Sequence, residues 1–139
     1  MSAAAPSSPA VPLAPRALSG LRELVREAPI ALAVRGACMA PLVAEGERVE
    51  IVAARRYWPG DVVAFAAPDG RLVLHRLLGY RPLGGRLAFV TQGDGCPVAD
   101  PPVPRERILG RRVGPVPAAA RLRAVAAFVR LAGRRLFGR

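Results

Sequence analysis

Turn-forming residues recur at short intervals through the middle of the chain, and their spacing is the strongest constraint on its fold. The turn signals are Pro59-Gly60, Pro68-Asp69-Gly70, Gly84-Gly85 and a loop over residues 93–104. With 14 glycines and 15 prolines among 139 residues, a long helical bundle is disfavoured. The segments between the turns predict short β-strands, over residues 31–34, 48–53, 61–66, 72–80, 86–91 and 108–113. The sequence therefore predicts a mostly β domain over residues 30–114.

A short helix is predicted before this domain. It covers residues 17–29, with Ser19 as a candidate N-cap and Pro29 at its end. Its apolar face consists of Leu18, Leu21, Leu24, Val25 and Ala28. The Ala-, Pro- and Ser-rich residues 1–16 are interpreted as a disordered lead-in.

The C-terminal segment, residues 115–139, predicts a basic amphipathic helix that follows Pro115 and Pro117 and covers residues 118–137. One face carries Leu122, Val125, Ala126, Val129, Ala132 and Leu136. Another face carries Arg123, Arg130 and Arg134. Two interpretations stay open: the apolar face packs on the sheet and leaves the arginines in water, or the helix lies on an anionic membrane.

The positive charge of the chain comes entirely from arginine. All 21 basic residues are arginine, and the net charge is +11 at pH 7. Such a charge favours anionic partners, but the aromatic content of 5% offers no platform for stacking bases, so no nucleic-acid binding is expected. No apolar run approaches the roughly 18–20 residues that span a bilayer, and the N-terminus lacks the pattern of a secretory signal. We expect a cytoplasmic or peripherally membrane-associated protein.

Few residues are available for catalytic chemistry. The chain has one histidine, His75, and two cysteines, Cys38 and Cys96. Cys38 follows a predicted strand and Gly36, and a reactive thiolate needs a neighbouring base or positive field. His75 is the one conventional base near neutral pH, so a Cys–His pair across two strands is a candidate, beside purely structural roles for both residues.

The loop over residues 93–104 supplies candidate carboxylates. Asp94 or Asp100 is placed to orient the imidazole of His75, and Asp94 between two glycines also fits a turn that it caps itself. One histidine and two distant cysteines lack the close ligand spacing of a metal site. No metal and no cofactor are therefore predicted.

Several segments, in order, resemble the type I signal peptidase family and its relatives, the self-cleaving repressors. The resemblance covers about residues 31–113. Its nucleophile box is similar to residues 36–42, and its following strands and loops are similar to Gly46-Glu47-Arg48-Val49, Gly60-Asp61-Val62-Val63-Ala64-Phe65, His75-Arg76, Gly93-Asp94 with Asp100, and Ile108-Leu109-Gly110. The chain differs from the family in having Cys38 where the nucleophile is serine.

The resemblance implies a signal-peptidase-like β catalytic core with an N-terminal helix and a C-terminal amphipathic helix. It implies an endopeptidase that cleaves an extended segment of a protein or peptide precursor, with Cys38 as nucleophile, His75 as general base, Asp100 as its carboxylate partner and Asp94 in support. Because the chain has no lysine, only the histidine branch of the family fits. The substrate would lie against Gly36, Met39 and Pro41.

Two alternatives accompany this interpretation. One is a catalytically inactive module of the same fold that binds peptides or associates with a membrane. The other concerns Cys96, which shares the loop of Asp94 and Asp100: a regulatory disulfide with Cys38 and an unrelated buried thiol both stay open.

Overall fold

The computed structural model describes residues 13–34, 36 and 38–137. The chain folds as a six-stranded antiparallel sheet with two helices packed on it: the first contacts the second and sixth strands, and the second contacts the fourth strand. In chain order the elements are α1 (Pro15–Glu27), β1 (Ile30–Ala33), β2 (Arg48–Val52), β3 (Val62–Ala66), β4 (Leu72–Leu83), β5 (Arg86–Gln92), β6 (Ile108–Arg112) and α2 (Ala118–Phe137). A single 3₁₀ turn, Arg105–Arg107, precedes β6. The mostly β prediction holds at this level, because all six predicted strands form.

The strands lie in the order β1-β2-β6-β3-β4-β5. Strand β6 is therefore inserted between β2 and β3, which the order of segments along the chain does not predict. The hairpin of β4 and β5 closes through Gly84 and Gly85, whose φ angles of 59° and 79° require glycine. Strand β4 continues to Leu83, three residues beyond its predicted end.

The core lies on both faces of the sheet, and β3 shows why. All five residues of β3 are buried. Val62 and Ala64 pack in one apolar cluster with residues of α1, and Val63 and Phe65 pack in a second cluster on the opposite face. Side chains of a strand alternate between faces, so a continuous apolar run such as this one marks a strand covered on both sides.

The first helix begins earlier than predicted. Pro15 occupies its first turn, where its missing N–H costs no hydrogen bond, and Ala14 is the N-cap. Ser19 therefore lies inside the helix and does not cap it, and residues 15 and 16 do not belong to a lead-in. Residues 1–12 of that predicted lead-in are outside the described residues. Of the predicted apolar face, Val25 is buried but Leu24 is 55% exposed.

The second helix has its predicted bounds but docks through a different face. Ala120 and Ala124 are buried against the sheet, and Phe128 and Leu131 pack with Leu78 of β4. The predicted apolar face is largely left in solvent, with Leu122, Val125, Val129 and Leu136 all exposed. Small alanines give the docked face because they let the helix approach closely. Neither helix of the described residues is long and apolar enough to cross a membrane.

Candidate active site

His75 lies on β4, opposite Val63 of β3 and one residue before the pairing of β4 with β5 begins. The loop after β5 brings a carboxylate to its imidazole. The His75 ring is 8% exposed and packs edge-on against Phe65 of β3. Its Nδ1 lies 2.6 Å from Oδ2 of Asp100. The same carboxylate oxygen accepts the hydroxyl of Thr91 at 2.8 Å, and the Asp100 backbone N–H donates to the Thr91 carbonyl. Asp100 is thus held by β5, and its carboxylate contacts the imidazole.

Cys38 lies in the turn that follows β1. Gly36, with φ of 79°, redirects the chain ahead of it. The Cys38 side chain is exposed, whereas Met39 next to it is almost fully buried in the core. The Cys38 carbonyl accepts the N–H of Gly95 at 2.8 Å. A buried neighbour and a backbone hydrogen bond therefore hold the exposed thiol in place.

The two loops bring Cys96 to the same point. The Sγ atoms of Cys38 and Cys96 and a ring nitrogen of His75 all lie within 4.8 Å of one another. A Cβ on Gly93 would stand 2.7 Å from Sγ of Cys96 and 2.9 Å from Nε2 of His75, so this close packing requires glycine. Both cysteines are free thiols. The resemblance left open whether Cys96 approaches Cys38 or is an unrelated buried thiol; its thiol is half-buried and lies beside Cys38.

The electrostatics distinguish the two cysteines. The hydrogen bond with His75, supported by one with Cys96, lowers the pKa of the Cys38 thiol despite some desolvation. Burial, followed by the hydrogen bond with Cys38, raises the pKa of Cys96. Burial by itself would lower the pKa of His75, but the hydrogen bonds to Asp100 and Cys38 outweigh it and raise that pKa. Both shifts act in the direction of a Cys38 thiolate beside a protonated imidazole.

Asp94 has a different partner from the one first considered. Its two carboxylate oxygens accept Nε and Nη2 of Arg76 at 2.8 and 2.7 Å, a bidentate ion pair. Arg76 also donates Nη1 to the carbonyl of Gly60, and the Asp94 backbone N–H contacts the Met39 sulfur. Asp94 therefore does not orient His75 directly. It ties the loop of the site to β4 and to the Cys38 turn.

A cleft of about 1020 Å³ opens beside these side chains. Cys38, His75 and Asp100 lie along it, and residues 32–33 of β1 and 72–74 of β4 contribute to its apolar wall. Of the three predicted substrate contacts, Met39 lines the cleft. Gly36 and Pro41 are not among the described residues that line it.

The cluster can also offer ligands to a metal ion. Two thiols and one imidazole converge, although they are separated by 37 and 21 residues along the chain. The wide sequence spacing of these residues therefore does not keep their side chains apart, because the two loops bring both cysteines to His75.

Comparison with known proteins adds no relative. No model of a protein family matches the chain, and no curated protein matches its sequence. What the chain does is therefore inferred from the geometry of the Cys38, His75 and Asp100 side chains.

Proposed function

We propose that this chain is an endopeptidase that uses Cys38 as nucleophile, His75 as general base and acid, and Asp100 to orient the imidazole. The observation that carries the proposal is the 2.6 Å contact of Asp100 with Nδ1 of His75, on a ring whose other side faces the Cys38 turn. A nucleophile, a base and a carboxylate in this relation are the parts of acyl-transfer catalysis.

The proposed reaction proceeds in two halves. The Cys38 thiolate attacks the scissile carbonyl carbon, and in this proposal the Cys38 backbone N–H donates to the oxyanion that forms. Protonated His75 then gives its proton to the leaving amine nitrogen as the C–N bond breaks, which leaves a thioester on Cys38. In the second half His75 takes a proton from water, the resulting hydroxide attacks the thioester, and the Cys38 thiolate is released.

Unpaired backbone at the cleft supports an extended peptide as substrate. Among the described strands, β1 pairs only with β2, so its outer edge is open. Residues 72–75 of β4 precede the first β4–β5 pair, Arg76 with Gln92, and are open on that side. Both segments border the cleft. A peptide in extended conformation satisfies such edges by adding a strand, which positions its carbonyl beside Cys38.

We further propose that the β domain is a signal-peptidase-like core with a cysteine nucleophile. The supporting features are the nucleophile turn directly after β1, the His-Arg pair on β4 and the Gly-Asp loop after β5, which occur in the order that the resemblance requires. The proposed substrate is a protein or peptide precursor, cut next to small residues.

A peripheral membrane contact is proposed for α2. Leu122, Val129 and Leu136 are each at least 60% exposed, and arginines occupy the neighbouring side of the helix. An apolar stripe beside cationic side chains matches the boundary between acyl chains and anionic headgroups. This contact would hold the cleft near a membrane-bound precursor.

The pH dependence of Cys38 alkylation tests the proposed nucleophile. We expect the rate for wild type to rise with a midpoint below the ordinary thiol pKa of 9.0, because the lowered pKa of Cys38 keeps the thiolate at lower pH. In His75→Ala the midpoint should move up. Trypsin places the two cysteines in separate peptides, since arginines lie between them, so mass spectrometry reads each thiol by itself. Cys96 is the internal control and should titrate above 9.0.

Cleavage of a peptide library then tests the reaction. Wild type should generate new N-termini that follow small residues, whereas Cys38→Ala and His75→Ala should lose at least about 100-fold of the rate. Cys38→Ser should keep some activity. An ordinary Cys38 thiol that is indifferent to His75, together with no new termini, would contradict catalysis and favour the inactive peptide-binding module.

A further inference from the structure

We propose that Cys38, Cys96 and His75 form a zinc site with one open coordination position, and that zinc bound there withdraws the nucleophile and the base from catalysis. The three side chains come from the turn after β1, the loop after β5 and strand β4. This inference uses the side chains of the proposed peptidase, but it does not depend on whether they cleave peptides.

The distances fit a single ion. A tetrahedral zinc ion bound at about 2.3 Å to sulfur and about 2.0 Å to nitrogen keeps its ligand atoms about 3.5–3.8 Å apart. The two sulfurs and the ring nitrogen already lie within 4.8 Å of one another. Small rotations of two side chains close the difference, and both thiols have room to move because neither is buried.

Asp100 supplies the outer contact that a metal-bound histidine needs. Metal-ligating imidazoles commonly donate their other ring N–H to a carboxylate, which fixes the tautomer and directs the free nitrogen at the ion. Asp100 accepts at Nδ1 of His75 and is itself held by Thr91. The remaining nitrogen, Nε2, lies near the position that a Cβ on Gly93 would occupy, as does the Cys96 sulfur.

The donor set selects the kind of metal. Thiolate and imidazole ligands suit zinc and other borderline or soft ions, whereas magnesium and calcium require oxygen ligands. Binding forms two Zn–S bonds and one Zn–N bond, and two protons pass to water: one from the Cys96 thiol, and the one that Cys38 and Nε2 of His75 share. Cys38 lines the open cleft, so the ion has a path of entry and its fourth position is left for water.

Bound zinc and peptide cleavage exclude each other at this site. The sulfur electron pair that would attack a carbonyl is used in the Zn–S bond, and the His75 nitrogen that would move protons is used in the Zn–N bond. Cys96 has no step in the proposed cleavage reaction, but it completes the metal site. The second cysteine thus makes the same cluster a candidate for control by zinc.

Zinc titration of the reduced protein tests the site. Wild type should bind one Zn²⁺, and bound zinc should slow the alkylation of both cysteines, an effect that a chelator reverses. Cys96→Ser keeps a hydroxyl donor next to Cys38 and removes a metal ligand, so it should lose about 100-fold or more in zinc affinity. Asp100→Asn, which changes only the outer contact, should lose about 10- to 100-fold. Magnesium is the matched control and should protect neither thiol.

A cobalt titration gives a second readout that does not depend on activity. Wild type with Co²⁺ should show a thiolate-to-metal charge-transfer band that weakens in Cys96→Ser. Substoichiometric zinc binding by wild type, or protection of Cys38 that is unchanged in Cys96→Ser, overturns the zinc site. The metal-free alkylation profile separately tests the nucleophile, so failure of one proposal is distinguishable from failure of the other.

Discussion

At the scale of single residues, His75 lies between the Cys38 thiol and the Asp100 carboxylate. The ring is almost buried, which disfavours its charged form. Against this, Oδ2 of Asp100 accepts a hydrogen bond from Nδ1 of the ring, with 2.6 Å between the two atoms. The net result is a raised pKa. Thr91, the one threonine in the chain, contributes by donating to the same oxygen of Asp100. The polar side chains of the site thus form a chain of contacts, in which Thr91 holds Asp100 and Asp100 holds His75.

Replacing Asp100 by Asn should lower the pKa of His75. Wild type is expected to titrate above 6.5, because the carboxylate stabilises the imidazolium, and the neutral amide removes that stabilisation. Since the folded pKa is the higher one, protonated His75 adds stability below pH 6.5, and this contribution disappears as pH rises through the folded pKa. Proton NMR measures the titration without ambiguity, because the chain has one histidine.

Asp94→Asn is the matched control for this titration. Its carboxylate pairs with Arg76, so the pKa of His75 should stay much closer to the wild-type value. Identical titrations in wild type and Asp100→Asn would show that the carboxylate does not govern the imidazole.

At the scale of elements, the packing of α2 on β4 depends on one missing side chain. A Cβ on Gly79 would lie 2.6 Å from Cδ2 of Phe128, well inside van der Waals contact. The absence of that atom lets the aromatic ring lie on the strand backbone, next to Leu78 and Val90. A glycine inside a strand often marks such a close approach.

Gly79→Ala should therefore destabilise the protein by about 1–3 kcal/mol, because the added methyl displaces the Phe128 ring from a packed position. Thermal unfolding measures the loss, which should be smaller in a Phe128→Ala background. Gly133→Ala in α2 is the control: a Cβ there meets nothing within 4 Å, and alanine favours helix by about 0.5–1 kcal/mol. Equal Tm values for wild type and Gly79→Ala would refute the close approach.

At the scale of the whole molecule, charge and apolar exposure occur together on α2. The net charge is +11, and the helix adds arginines beside an exposed stripe of Leu122, Val125, Val129 and Leu136. Arginines outside α2 have internal partners, such as Asp94 for Arg76 and the Ala67 carbonyl for Arg107. The apolar stripe is what sets α2 apart from a merely basic surface.

Vesicle sedimentation tests the membrane contact. We expect wild type to bind vesicles of phosphatidylglycerol and phosphatidylcholine and to bind pure phosphatidylcholine weakly. Leu122→Gln with Val129→Gln removes apolar surface at constant charge, and Arg123→Gln with Arg130→Gln removes charge at constant apolar surface. Both pairs should reduce binding without lowering Tm, because these side chains are exposed. If the variant with Leu122→Gln and Val129→Gln binds vesicles as well as wild type, the apolar stripe does not contribute and the attraction is electrostatic alone.

The sequence by itself determined the elements and the chemistry available. Turn residues at short intervals mark the ends of the six strands, since glycine and proline act locally on the backbone. With a single histidine and no lysine, His75 is the one conventional base near neutral pH that the composition offers. These conclusions depend on local conformation and on composition, both of which a sequence states directly.

Only the tertiary structure decided which side chains meet. Residue types alone left Asp94 and Asp100 as candidates to orient His75, and only the resemblance favoured Asp100. The loop after β5 turns Asp94 to Arg76 and Asp100 to His75. The path of its loop brings Cys96 to the site. The second helix docks through its alanines and Phe128 because this face, and not the other apolar face of the helix, packs closely on the sheet. Contacts between distant segments depend on the whole fold, and no local pattern encodes them.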